Sequence, residues 1–132
     1  MKKNEEYIVT CIDDTDLNSG VVKIDDMVVF VPNLLIGEKA KIKIVKVNKK
    51  YAFGIIIQLL EPSINRQELT CEVAKTCGGC QLQHMKYAYQ LDYKYKHVKK
   101  LFEDIEVKPI LGMDNPWYYR NKAQFPVKIK DG

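Results

Sequence analysis

The sequence predicts a mainly β fold with one long helix: a small five-stranded barrel, a cysteine-rich loop, the helix and the start of a second sheet. Three observations support this. Short β-branched and aromatic runs fill positions 7–60, three cysteines crowd into positions 71–80, and a helical apolar period follows them. The 132 residues are 46% hydrophobic and 29% charged, a composition that is typical of globular proteins and excludes a disordered chain.

The first 60 residues predict five strands joined by turns. Residues 7–12 form the first, and residues 21–24 and 27–31 flank Asp25-Asp26 as a two-residue hairpin. Residues 39–44 alternate lysine with apolar side chains, so one face of this strand is expected in the core. Residues 51–60 form the last strand. Short strands with a turn every eight to twelve residues or so predict a small closed barrel of the oligonucleotide-binding (OB) kind.

A helix is predicted over residues 82–103. On a helical wheel, one face is apolar and is expected to be buried; its members are Tyr87, Ala88, Leu91, Tyr95, Val98 and Phe102. The opposite face carries Tyr89, Tyr93, Lys96 and Lys100. Tyrosines among lysines suit RNA, because rings stack on bases while ammonium groups meet phosphates. Packing of the two tyrosines against a neighbouring domain or a partner protein fits the pattern equally well. His97 is expected to be exposed.

Beyond the helix, residues 106–110 predict a short strand and residues 117–129 the beginning of a new sheet. The second prediction depends on the alternation of Ala123, Phe125 and Val127 with polar side chains. The chain therefore divides into residues 1–62 (the barrel), residues 63–104 (the cysteine loop and basic helix) and residues 105–132 (the start of a further subdomain).

Charge is spread unevenly along the chain. The formal net charge is +4, yet residues 1–37 carry three lysines and seven acids, and residues 63–132 carry 12 basic and eight acidic side chains. Residues 39–50 carry six lysines and no acid. This basic strip predicts a polyanionic partner, although lysines on an edge strand also protect a sheet from unwanted pairing. The candidate RNA contacts in the strip are Lys39, Lys41, Lys43, Lys46, Lys49 and Lys50.

Cys71, Cys77 and Cys80 are spaced C-x5-C-x2-C, with two glycines in the last step. Glycines let a chain wrap several thiolates around one centre, so the spacing predicts a metal site. A redox pair is disfavoured, because no βαβ pattern surrounds it. Structural zinc and iron–sulfur clusters both prefer four ligands. His84 would complete a Cys3His zinc site, or the fourth ligand lies outside the chain. Cys11, on the first strand, is expected to be a small buried core residue.

Several classes of protein are excluded or disfavoured. No apolar run approaches the roughly 20 residues of a membrane helix, and the charged first seven residues predict no secretory signal. The expectation is a monomeric cytoplasmic protein that does not contact a membrane. No phosphate-binding glycine loop or serine–histidine arrangement is present in the sequence, so no catalytic residue is assigned in this chain.

Three segments resemble the bacterial RNA (uracil-5-)-methyltransferases, of the type that makes 5-methyluridine in 23S rRNA. The CGGC step followed by residues 81–84 (QLQH) resembles the iron–sulfur segment of that family. Upstream, residues 28–32 (VVFVP) with Gly37-Glu38 resemble its TRAM domain. Downstream, residues 119–127 (YRNKAQFPV) are similar to the entry into its central RNA-contacting subdomain, which adds Arg120 and Lys122 to the candidate RNA contacts.

The resemblance implies a 4Fe–4S cluster held by Cys71, Cys77, Cys80 and a fourth cysteine later in the protein. It also implies a further domain that binds S-adenosylmethionine. There a cysteine adds to C6 of uridine, the methyl group reaches C5, and a base removes the C5 proton. The expectation is therefore the RNA-binding and iron–sulfur part of a longer methyltransferase, inactive alone, with RNA (23S rRNA) as partner. The alternative is a self-contained zinc module that binds RNA or protein through Cys71, Cys77, Cys80 and His84.

Overall fold

The computed structural model describes residues 1–130, which contain six strands and one helix. All the strands belong to one curled sheet in the order β1-β5-β6-β4-β3-β2, antiparallel except for the parallel pair β4 and β6. The predicted mainly β fold with one helix is confirmed. The elements are β1 (Glu6–Thr10), β2 (Asp13–Asp14), β3 (Ser19–Ile24), β4 (Met27–Pro32), β5 (Lys39–Val47), β6 (Tyr51–Glu61) and α1 (Tyr87–Leu101).

The first predicted strand, residues 7–12, corresponds to β1, which ends at Thr10, and the short strand β2 that follows at Asp13–Asp14 was not predicted. Only Cys11 and Ile12 separate them, and there the chain passes from one edge of the sheet to the other. The Cys11 N–H donates to the Glu38 carbonyl at 2.9 Å, and the Ile12 N–H donates to the Val21 carbonyl at 2.9 Å. A single bent segment therefore pairs first with β5 and then with β3. The count of five strands is wrong by one because the sequence pattern does not show the bend.

The concave side of the sheet holds the main core. Alternate residues of β3, β4 and β5 are fully or almost fully buried there, among them Val22, Val29 and Ile42. The hairpin at Asp25-Asp26 forms as predicted, since Ile24 pairs with Met27 and both aspartates adopt a positive φ, 48° and 64°. Paired positive φ values match the right-handed twist of a two-residue hairpin. This core fixes which side chains the convex side presents.

Helix α1 starts at Tyr87, five residues after the predicted start. The backbone of the preceding residues is already paired with residues 65–67: the Gln67 N–H donates to the His84 carbonyl at 2.9 Å, and the Lys86 N–H donates to the Asn65 carbonyl at 2.8 Å. These bonds, together with the turn in which the Met85 N–H donates to the Leu82 carbonyl at 3.0 Å, hold residues 82–86 against the post-barrel segment, so the periodic pattern does not become helical there.

The predicted faces of the helix are correct only in part, because Lys96 and Lys100 are exposed as expected but the buried residue lies on their side of the helix. Tyr93, expected on the exposed face, is the helix residue that is buried, and it packs with Leu35 and Met85 in a second small core. Val98 and Phe102, expected in the core, are about half exposed. Tyrosine carries enough apolar ring surface to occupy a core when its hydroxyl finds partners. The sequence predicted a polar face here because two lysines lie on the same side of the helix as the two tyrosines.

Residues 105–130 form no strand, so the predicted strand at 106–110 and the new sheet at 117–129 are wrong for the part of the chain that the structure describes. Phe125 and Val127 are exposed, with no neighbouring strand to pair with them. A lone extended segment does not make a sheet, because its hydrogen bonds come from partners. The final two residues of the predicted third unit lie outside the described range. Among residues 1–130, no helix is long and apolar enough to cross a membrane.

Candidate nucleic-acid interface and cysteine loop

A lysine strip runs along the convex face of β5 and into the turn after it. We use this name for Lys39, Lys41, Lys43 and Lys46 on β5 and Lys49 and Lys50 beyond it. Ala40, Ile42 and Ile44 are fully buried between the first members, so the lysines lie on the opposite face. A bulge between Ile44 and Lys46 shifts the alternation by one residue. Lys46 thereby pairs in register with outward-facing Phe53 instead of entering the core.

Two members of the lysine strip already have acidic partners. Lys41 Nζ lies 2.7 Å from Glu6 Oε2, and Lys39 Nζ lies 4.0 Å from Glu61 Oε1. The hydrogen bond from Lys41 lowers the pKa of the Glu6 carboxyl. In residues 1–130, no carboxylate lies within ion-pair distance of the other members, Lys43, Lys46, Lys49 and Lys50. These ammonium groups are free to bind an external anion.

The helix contributes less to such a surface than the sequence suggests. The hydroxyl of Tyr93 donates to the Thr15 carbonyl and accepts from the Asn18 N–H at 3.1 Å, so it fastens α1 to the loop before β3. Its ring is inaccessible, and the stacking role predicted for it is wrong. Tyr89 is half-buried against the same small core as Leu35, so the alternative of packing within the protein describes both tyrosines.

The basic residues of the helix remain at the surface. Lys96 Nζ lies 4.0 Å from Asp14 Oδ1, and Lys100 is exposed. His97 was expected to be exposed, but it is half-buried, and its Nε2 lies 3.1 Å from the same Asp14 oxygen. The centre of its ring lies 4.5 Å from the centre of the Tyr93 ring, in an edge-on arrangement. Asp14 thus belongs to the contact between β2 and the helix, which no sequence pattern indicates.

The joint between the barrel and the cysteine loop is a buried ion pair that sequence reasoning missed. The carboxylate of Glu38, which is fully buried, accepts from Arg66 Nε at 2.6 Å and Nη2 at 2.8 Å, and from the N–H groups of Leu35 and Ser63 at 2.9 and 3.1 Å. Burial alone would raise the pKa of Glu38, but these bonds outweigh it and hold the pKa below its usual value. A lone acid after Gly37 gives no sequence signal of a partner 28 residues away.

His84 lies beside this joint. It is buried, and burial together with the Arg66 cation lowers the pKa of its imidazole to about 4, so the ring is neutral at pH 7. Its Nε2 has no hydrogen-bond partner within the described chain. The zinc hypothesis required His84 to meet the three clustered cysteines, and the structure does not bring these four side chains together.

Cys71, Cys77 and Cys80 are free and exposed on a loop of turns. The Cys77 N–H donates to the Val73 carbonyl at 2.8 Å, and the Gly79 N–H lies 3.4 Å from Cys77 Sγ. Nowhere in residues 1–130 do three cysteine, histidine or acidic side chains come close enough together to hold a metal ion. The thiols are suitable donors for a metal, although in this structure they are not gathered around one point. Cys11, in contrast, is buried in the core as predicted, and burial raises the pKa of its thiol to about 11.

The segment after the helix returns along α1 to the cysteine loop. Arg120 Nη2 donates to the Gly79 carbonyl at 2.7 Å, while its guanidinium lies 5.9 Å from the centre of the Tyr119 ring. Together with Tyr87 and Trp117, these residues line an open groove of about 610 Å³. The Arg120 guanidinium is therefore hydrogen-bonded to the cysteine loop in this structure, whereas Lys122 is exposed.

Residues 3–57 match the model of the TRAM domain family. Over its full length the chain is 46% identical to an uncharacterized RNA methyltransferase of Halalkalibacterium halodurans, and over 96% of its length it is 42% identical to one of Clostridium acetobutylicum. It covers 30% and 29% of those two proteins. The chain thus spans about 30% of the length of the curated relatives it matches.

Two solved structures show partial likeness. A conserved protein of Methanococcus maripaludis is 36% identical, and the match covers 42% of this chain and 80% of that one, with a TM-score of 0.41. The crystal structure of Pyrococcus abyssi tRNA (uracil-54, C5)-methyltransferase in complex with S-adenosyl-L-homocysteine is 28% identical, covering 76% of this chain and 23% of that one, with a TM-score of 0.49.

Proposed function

We propose that this chain is the RNA-binding part of a longer RNA methyltransferase, a proposal that the TRAM family match and the curated relatives support. The observation that carries the proposal is the lysine strip. Four of its ammonium groups, two on the convex face of β5 and two in the turn after it, have no acidic partner in the described residues. Phosphates are the anions that such a row of cations recognises, and release of their counterions supplies the affinity.

The proposed division of labour follows the three units of the sequence. Residues 1–62 bind RNA through the lysine strip, residues 63–104 dock the cysteine loop and helix on the barrel through Glu38, Arg66 and Tyr93, and residues 105–132 lead towards the rest of the enzyme. Lys96, Lys100 and Lys122 extend the basic surface and are secondary candidates for RNA contact. We propose that the protein works as a cytoplasmic monomer.

The reaction that we propose for the whole enzyme is methylation of uridine at C5 in RNA, with ribosomal 23S RNA as the proposed substrate. It is supported by the RNA methyltransferase names of the relatives and by the motif resemblance of residues 77–84. S-adenosylmethionine would supply the methyl group. We assign neither its binding nor any catalytic group to residues of this chain, so we expect the 132 residues to bind RNA without methylating it.

We further propose that Cys71, Cys77 and Cys80 supply three ligands of a 4Fe–4S cluster, with a fourth cysteine from outside the chain. The spacing of the thiols and their exposure support this. Iron and sulfide analysis of protein purified without oxygen tests it. Iron-free, colourless protein even when the chain is expressed with the remainder of the enzyme would contradict it.

The experiment for the RNA-binding proposal is fluorescence anisotropy with a labelled stem-loop RNA at low salt. We expect the chain to bind and the variant Lys43→Glu with Lys46→Glu to bind at least tenfold more weakly, because two phosphate contacts become repulsions. The matched control is Lys39→Glu with Lys41→Glu, whose ammonium groups already face Glu61 and Glu6. An equal loss in both double variants would show that the affinity follows net charge and not this part of the strip.

A further inference from the structure

Three aromatic rings form a platform on the convex face of the sheet, beside the lysine strip. They are Phe30 on β4 and Tyr51 and Phe53 on β6, and we call them the ring platform. We propose that the ring platform stacks the bases of a single-stranded RNA segment whose phosphates the lysine strip binds. This inference rests on the proposed RNA-binding function and names the form of RNA that this face takes.

The sheet register brings the rings together. Phe30 pairs directly with Phe53 across the parallel β4–β6 ladder, and Tyr51 lies two residues before Phe53 on the same face. The ring centres of Tyr51 and Phe53 are 5.5 Å apart, and each lies 5.9 Å from the centre of Phe30. The ring planes are inclined to one another by 40°, 66° and 88°, so the three rings form one contiguous edge-to-face aromatic cluster on this face of the sheet.

None of the three rings belongs to either buried core cluster of residues 1–130. Their neighbours along the strands, Val29 and Ala52, fill the opposite, concave face and are fully buried. Tyr51 is 40% exposed, and Phe30 and Phe53 are partly exposed. Such an aromatic cluster stabilises the pairing of β4 with β6. That structural role does not explain why the cluster lies beside lysines that have no acidic partner in the described residues.

Charge around the ring platform favours RNA over a protein partner. Lys46 is the register partner of Phe53, and Lys43 is the partner of the next outward residue, Ile55. On the other side, Lys23 pairs with Val28, which in turn pairs with Tyr51. Aromatic rings flanked by ammonium groups offer stacking and phosphate contacts together, as in sheet proteins that bind single strands. The acidic turn at residues 25–26 repels phosphate, so the RNA backbone is expected to follow the β5 side.

The area also argues against a stable protein interface here. Such an interface usually buries about 800 Å² on each partner, several times the exposed surface of three half-buried rings. Stacking on a single strand needs only one ring for each base and is tolerant of sequence. A protein partner on this face is thus an alternative outcome of the test below and not the inference.

The test uses the full 132-residue chain and a fluorescent oligouridylate of about 8 nucleotides, within the span of one OB fold. The variants are Tyr51→Ala and Phe53→Leu, the second chosen because leucine keeps apolar volume in the sheet. Each is expected to weaken binding about 5- to 150-fold, the range for loss of one base–ring stack. Tyr51→Phe, which keeps the ring, is expected to stay within twofold of the unmodified chain.

Two controls separate stacking from loss of fold. Ile57→Ala removes an exposed apolar side chain further along β6 and is expected to leave affinity unchanged. Photo-crosslinking with 5-iodouridine in the oligomer reports contact directly, and we expect the cross-linked peptide to contain Tyr51 or Phe53. A folded-state circular dichroism spectrum of each variant is a condition for its use in the comparison.

The outcomes distinguish this inference from the proposal beneath it. Ring variants that bind as tightly as the unmodified chain, while lysine variants bind weakly, would overturn the ring platform and leave the RNA-binding function standing. An unmodified chain that binds neither the oligouridylate nor the stem-loop at low salt would overturn both. Ring variants that keep RNA affinity but abolish self-association in sedimentation would assign the face to protein contact and overturn the inference.

Discussion

The ion pair between Glu38 and Arg66 provides the sharpest prediction about the stability of this chain. Arg66→Ala removes two hydrogen bonds, of 2.6 and 2.8 Å, from a carboxylate with no solvent exposure. The carboxylate keeps only the backbone bonds from Leu35 and Ser63, at 2.9 and 3.1 Å. Loss of one partner of a buried pair costs about 3–5 kcal/mol. The Arg66 side chain is 20% exposed, so we expect the lower end, a decrease of about 3 kcal/mol in the free energy of unfolding.

The assay is equilibrium unfolding in urea at pH 7, followed by circular dichroism. The matched control is Lys41→Ala, which breaks a pair of similar length (2.7 Å) whose side chains are 40% and 42% exposed. Exposed pairs contribute at most about 1 kcal/mol, so the control should be close to the unmodified chain. Replacing both buried partners, as Glu38→Gln with Arg66→Met, should recover much of the loss, because no uncompensated charge remains. Equal decreases in the free energy of unfolding for Arg66→Ala and Lys41→Ala would refute the claim that Glu38 and Arg66 form a buried, stabilising ion pair.

Three further predictions follow from buried groups. Burial lowers the pKa of His84 from 6.5 to about 4, so the folded protein resists protonation of this ring. The free energy of unfolding is therefore expected to be constant with respect to His84 above pH 6.5 and to fall by about 3 kcal/mol as the pH drops to 4. The variant His84→Gln should flatten this part of a pH series of urea titrations. Tyr93→Phe should lower the free energy of unfolding by about 1–2 kcal/mol in the same assay, because Thr15 and Asn18 lose their hydrogen-bond partner. The control Tyr89→Phe should leave it unchanged. Equal decreases in the two variants would contradict the role of the Tyr93 hydroxyl in fastening α1. Gly20→Ala should lower the free energy of unfolding by about 1–3 kcal/mol, since its Cβ would lie 2.6 Å from the backbone oxygen of Leu34. Gly78→Ala is the control, because its Cβ would meet nothing within 4 Å and stability should not change. A Gly20 variant as stable as the unmodified chain would show that the backbone at Leu34 moves aside.

The sequence predicted the strands well because their signals are local, although they form a curled half-barrel of six strands and not the closed five-stranded barrel that was expected. Alternation in residues 39–44 and the Asp25-Asp26 turn each involve neighbouring residues, and both features are present in the structure. The bend at Cys11 was invisible, because it depends on hydrogen bonds to Glu38 and Val21, far away along the chain. The same reason explains the missed joint at Arg66, whose partner is known only once the fold is known.

The helix shows why a periodic pattern is not enough to assign a face. Its apolar wheel face was expected to pack inward, but the barrel presents Leu35 to the side that carries Tyr93, and the hydroxyl of Tyr93 finds Thr15 there. Tertiary contacts decide between two amphipathic choices of similar strength. For the candidate site, the lysines of β5 could be placed from alternation alone, whereas Lys46 reaches that face only through a bulge that no pattern predicts.

The central claim is that the lysine strip binds RNA phosphates, and the salt dependence of affinity tests it most directly. The measurement is the slope of log affinity against log salt concentration for a single-stranded RNA, which changes by about 0.7 for each phosphate contact. Replacing the four lysines without acidic partners by glutamine should reduce the magnitude of this slope by about 3. The replaced residues are Lys43, Lys46, Lys49 and Lys50. An unchanged slope in this variant would contradict the claim, because the phosphates would then be held elsewhere.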